Sequence, residues 1–328
     1  QHACRAVETE LELTPLEGHQ IGLGRRGLTP AEHATATATG REPARRTLER
    51  IVRAAAARAD TETEFVEYLR ADGAVVVPYF AKGGSKITGY KVRLEGDGQL
   101  WFAGGKLARD LSLPRLRETW TAGGAADPGS VAAWKGSSTR AAVGMKAPSE
   151  AQIRQAIAQI DKVASSAEGD PAARLSQWAA VSHDLAGTFA SLSRALEGDE
   201  PGPLAAAAQA AGRLGQLHRR SLPGTDRPRT RMVGAARVGY ALGRTRGRAG
   251  TRAFVRQLVS TLYALAAAAK AMQQATIAEK MLTAARNALP PLAAARSGQP
   301  GAAQQPLWRN RAGTAVRATG DRADGLGR

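Results

Sequence analysis

Apolar residues recur every three to four positions along most of this chain, and the period drops to two from Ala74, within the interval 65 to 120 where helix and strand signals follow one another. Residues 3 to 12 read as a helix with Ala3, Val7 and Leu11 on one face. Thr29-Pro30-Ala31-Glu32 is a helix start, with Thr29 as N-cap and Pro30 in the first turn. Thr47 to Ala59 predicts a helix with Leu48, Ile51, Val52 and Ala55 on one side and arginines on the other. Thr61 caps a further helix carrying Phe65, Val66 and Leu69, which ends at Asp72-Gly73.

From Ala74 the alternation is that of strands. Val75 to Val77 enter a strand that Pro78 marks as an edge or as the strand's end. In the next, Thr88, Tyr90, Val92 and Leu94 alternate with Lys91 and Arg93, giving one apolar and one basic face and placing Tyr90 in the core. Gly96-Asp97-Gly98 is a hairpin connection to a third strand at Leu100, Trp101 and Phe102. Gly104-Gly105 leads into Lys106-Leu107-Ala108, and Ser112 with Pro114 starts a helix through Trp120. Residues 121–148 are rich in Gly, Ala and Ser and read as a linker in which Trp134 is free to dock on the core.

Helical spacing then resumes. Ser149 caps a helix with Ile153, Ile157 and Ile160 on one face. Leu175, Trp178, Ser182, Leu185, Phe189, Leu192 and Leu196 form a bundle-like seam that Gly198 and Pro201 to Pro203 interrupt. Leu204 to Leu217 and Thr251 to Leu289 continue the helical pattern, and residues 291–328 carry too little apolar surface to order themselves. The expected fold class is α+β, mainly α: a helix, three-strand and helix module over 43–120, a linker over 121–148, an α-helical bundle or coiled-coil-like region over 149–290 and a disordered basic tail over 291–328.

Composition adds a partner class. The formal net charge is +17 over 328 residues, which favours a polyanion, nucleic acid before membrane. Between Arg213 and Arg256 a dozen arginines face a single acidic residue, Asp226. Basic positions that can contact phosphate are Lys91, Arg93, Lys106, Arg115, Arg117, Arg219, Arg220, Arg244, Arg246 and Arg248, with Trp101 as a stacking surface beside the sheet cations. Gly104-Gly105-Lys106 is a weak phosphate motif without P-loop spacing and reads first as a strand-to-helix turn.

Catalytic patterns are sparse. The five histidines are not at metal-ligand spacing, so neither a metal nor another cofactor is expected in this chain. His183-Asp184 reads as a capping or solvent-facing pair rather than a dyad, and Ser182 lacks a nucleophile elbow. The lone Cys4 fits a reducing cytosol, and no run reaches the roughly 20 apolar residues of a membrane span.

The segments RTLERIVRAAAARADTETEFVEYLRADGAVVVPYF, ITGYKVRLEG and WFAGGKLARDLSLPRLRETW resemble the region after the nuclease core in actinobacterial relaxase/mobilisation proteins of the MobA/VirD type. The resemblance extends over roughly residues 3 to 212, with LARDLSLPRLR its most specific part, and makes residues 1–42 the end of the nuclease domain. It implies a role at a plasmid transfer origin, with single-stranded DNA and conjugation coupling or accessory proteins as partners. That family's chemistry uses an N-terminal tyrosine and a divalent metal held by His-x-His; this chain has neither and starts at Gln1, so it is expected to be a truncated portion, inactive alone. The alternative is a non-catalytic helical protein-interaction module.

Overall fold

The structure is a computed structural model that describes residues 28–82, 86–96, 100–120, 129–136, 146–166, 175–217, 231–245, 248–271 and 275–288. These all lie within one compact unit, Gln1–Pro290. The expected helix over 3–12, the hairpin residues Asp97 and Gly98, and the tail lie outside the described residues. The class is the expected one, mainly helical with a small antiparallel sheet.

Helix α1 spans Pro30–Thr39. Its Thr29 hydroxyl accepts from the Glu32 amide at 3.2 Å while the Glu32 carboxylate accepts from the Thr29 amide at 2.7 Å, a reciprocal capping box. Helix α2, Ala44–Arg58, buries Leu48, Ile51, Val52 and Ala55 as its pattern predicts. Its arginine side is covered too, because α2 also packs along the long helix α8, Leu175–Leu196. Helix α3, Glu62–Ala71, is capped by Thr61, and Gly73 follows at φ 83°, the left-handed conformation that favours glycine.

Strands β1 (Ala74–Phe80), β2 (Ile87–Leu94) and β3 (Phe102–Ala103) form an antiparallel sheet in the order β1-β2-β3. Pro78 is tolerated inside β1 because that strand is an edge. The inner face carries Val76, Tyr90 and Val92 into a core completed by α2, α3, a one-turn helix α4 (Gly104–Leu107), a 3-10 turn (Arg109–Leu111) and α5 (Leu113–Thr119). Within the interval expected to be a linker, Ser130–Trp134 forms a short helix, α6. Its Trp134 does dock: the ring meets Phe65 at 6.4 Å and Tyr90 at 5.7 Å between centroids, and its indole N–H donates to Glu62 at 2.7 Å. That bond satisfies the polar end of a buried indole.

The helical region is built on α8. It packs against α2, against α9 (Pro203–Leu217) and against α10 (Val233–Thr245); α7 (Glu150–Ser165), α11 (Arg248–Ala271) and α12 (Ala275–Ala288) complete the layer. Trp178, Leu185, Phe189 and Leu192 are buried as the seam predicts, whereas Leu196 is exposed. Gly187 lets α8 approach α2, since a Cβ there would collide with the Ala57 methyl. The seam's Ser182 is structural: its hydroxyl donates to the Ala211 carbonyl at 2.7 Å.

Candidate nucleic-acid interface

Two groups of cations differ in their surroundings. The first faces inward from α2. Arg53, 4% exposed, donates to Asp110 Oδ2 at 2.6 Å and Oδ1 at 3.4 Å and lies 3.5 Å from Glu49. Burial alone would push the Asp110 carboxyl up, but the Arg53 guanidinium and His183 beside it hold it well below the usual carboxylate range. Arg50 meets Glu42 at 3.1 Å and donates to the Ser193 hydroxyl and the Asp199 carbonyl. Arg58 pairs with Asp72 between the Tyr68 and Tyr240 rings, and Tyr240 donates to the same carboxylate at 2.8 Å.

His183 joins this buried group. Its Nε2 is 3.3 Å from Asp110 and its Nδ1 3.5 Å from Asp184, with the side chain 20% exposed. The expectation of a capping or solvent-facing pair is therefore corrected: the 3-10 turn brings Asp110 against α8, a contact between residues far apart in the chain. The pair's partners are those of a structural network. Among the described residues, no three His, Cys, Asp or Glu side chains gather as a metal site.

The second group faces outward from the sheet. The register sets Val77 opposite Lys91, Tyr79 opposite Gly89, and Lys91 opposite Ala103, so these side chains share the face away from Tyr90 and Val92. Lys91 Nζ lies 4.8 Å and Arg93 Cζ 5.3 Å from the Trp101 ring centroid. Neither cation has a carboxylate within 4 Å among the described residues. Tyr79 is 45% exposed, and nearby Phe80 and Leu100 are also exposed. The combination of cations held on an aromatic ring, open aromatic surface and missing counter-charge makes this face the candidate interface.

No family model, curated protein or solved structure matches the chain. The site therefore stands on its geometry.

The remaining expected contacts disperse. Lys106 is exposed on α4, while Gly104 is enclosed: a Cβ there would strike the Tyr90 ring and lie 2.5 Å from the Leu111 carbonyl, so Gly104-Gly105 is a packed strand-to-helix turn. Arg115 pairs with Glu118 at 3.0 Å on α5. Arg117 donates to both Glu62 oxygens at 2.7 and 2.8 Å and to the Ile87 carbonyl at 2.8 Å, tying α5 to the sheet. Arg244 is exposed near the end of α10; Arg219, Arg220 and Arg246 lie outside the described residues, as does the side chain of Arg248, which opens α11. Within the arginine-rich run, Arg231 and Arg237 pair with Asp60, and Arg237 also with Glu64, bracing α10 on the α2–α3 connection.

Sequence reasoning found Lys91, Arg93 and Trp101 but not Tyr79 as part of the same face. Val75-Val76-Val77-Pro78-Tyr79-Phe80 is a continuous apolar run without alternation, and only pairing with β2 shows which side each residue takes.

Proposed function

We propose that this chain is a DNA-contacting, non-catalytic portion of a cytoplasmic plasmid-mobilisation relaxase, holding transfer-origin DNA beside the conjugation machinery. The observation that carries the DNA-binding part is the Lys91–Trp101–Arg93 array, two solvent-side cations with no carboxylate partner among the described residues. The charge of +17 supports the same partner class, because phosphate contacts release counterions and need no base recognition. The mobilisation context rests on the resemblance of the segments within 46–120. No helix among the described residues is long and apolar enough to cross a membrane.

Two assays test the reading. DNA affinity should fall steeply and linearly on a log–log salt scale, by about 0.7 log units per log unit of salt for each single-strand phosphate contacted. Incubation with supercoiled plasmid carrying a cognate origin and Mg²⁺ or Mn²⁺ should give no nicking; cleavage with covalent attachment would refute the non-catalytic assignment. A second reading, docking of a protein partner, is favoured by the exposure of Val77, Tyr79, Phe80 and Leu100. It predicts no DNA binding even at low salt.

A further inference from the structure

Resting on the DNA-binding reading above, we infer that the outer face of the sheet is a stacking platform for unpaired bases, with Trp101 and Tyr79 as its aromatic surfaces and Lys91 and Arg93 holding the adjoining phosphates.

The arrangement follows from the register. Gly89 lies opposite Tyr79 on the central strand, and the point where its Cβ would stand is 3.4 Å from the Tyr79 ring. The phenol therefore lies beside bare backbone and keeps 45% of its surface exposed. Across the same strand, Trp101 is held by two cations rather than by core packing. A cation over an indole is attracted by the ring's negative face and fixes its orientation. The two rings thus flank β2 on one open face, with the cations between the strand and the indole.

The occupant is specified by two properties. Cations without a carboxylate within 4 Å among the described residues call for an anion. Exposed aromatic rings call for flat apolar partners. A single nucleic-acid strand supplies both, because its unpaired bases present free π faces at intervals along a phosphate backbone. A duplex supplies the phosphates but no free π faces, since its bases are stacked on one another and present only their edges in the grooves. Preference for a single strand is the consequence.

The test uses the full chain with fluorescently labelled oligothymidine and a blunt duplex of the same length, at matched salt. Expected results are at least about tenfold tighter binding of the single strand, loss of about tenfold in that affinity for Trp101→Leu, and recovery in Trp101→Phe, which restores a ring. Duplex affinity and the salt slope should be unchanged in Trp101→Leu. Should that variant fail to melt cooperatively, Tyr79→Leu, at an exposed position, makes the same prediction with a smaller loss. Salt-dependent binding with no single-strand preference, or a preference that survives both leucine variants, overturns the platform and leaves the broader DNA-binding reading intact. No binding of either probe at low salt overturns both and favours a protein partner for this face.

Discussion

The arginines of α2 and the cations of β2 carry the same charge and live under opposite rules. Arg45, Arg50, Arg53 and Arg58 are all buried, and each has a carboxylate: Glu32, Glu42, Asp110 and Asp72. A charge removed from water without a partner costs several kcal/mol, so such positions survive only in pairs. Lys91 and Arg93 remain solvent-accessible, lean on an indole and have no carboxylate partner among the described residues. Net charge is therefore a poor map of a binding surface. Several arginines behind the +17 are internal fasteners, and the cations available to a ligand are those the fold leaves unmatched.

Breaking the buried side should have the largest effect. Asp110→Ala strands Arg53 beside α8 and should lower stability by about 3–5 kcal/mol, read from the midpoint of urea unfolding. Pairing it with Arg53→Met should recover much of that loss, because a buried ion pair is often replaceable by apolar side chains. A loss equal to the sum of the single variants would show that the two groups do not act as a pair.

The same pair sets a pH dependence. Asp110 is held ionised in the folded state and is an ordinary carboxylate near pKa 3.9 in the unfolded one, so the unfolded state binds its proton first. Its contribution is fully present above the unfolded value and should decline progressively as pH falls below about 4. Thermal melts of wild type and Asp110→Asn from pH 3 to pH 7 should converge toward the acid end.

Packing beneath the sheet gives the next effect. Gly104→Ala places a methyl against the Tyr90 ring and the Leu111 carbonyl to which Tyr90 donates at 2.6 Å. Overpacking there should cost about 1–3 kcal/mol, measured by chemical denaturation. On the outer face the prediction reverses: Lys91→Gln and Arg93→Gln should each change stability by no more than about 0.5 kcal/mol while weakening DNA binding.

The difference between the regions also explains what was legible in the sequence. Thr29-Pro30 with Glu32, the Thr61 cap, the position of Tyr90 in the core and the basic face of β2 are local, set by spacing within a few residues. Trp134 was legible as a large apolar side chain in an interval with little else to bury it. The Arg53–Asp110–His183 cluster was not, since Asp110 comes from a turn 57 positions from Arg53, and His183, which meets Asp110, comes from another helix. An arginine stripe on a helix reads as a solvent face until the tertiary fold supplies the carboxylates opposite it.

The most direct test of this division of charge is the salt dependence of oligothymidine binding by wild type, Lys91→Gln/Arg93→Gln and a control, Arg154→Gln/Lys162→Gln, at exposed positions of α7. The account predicts that the sheet variant loses affinity and that its log–log slope is shallower by about 1.4, two contacts at about 0.7 each, with the control matching wild type. An unchanged slope in the sheet variant, or an equal change in the control, would contradict it.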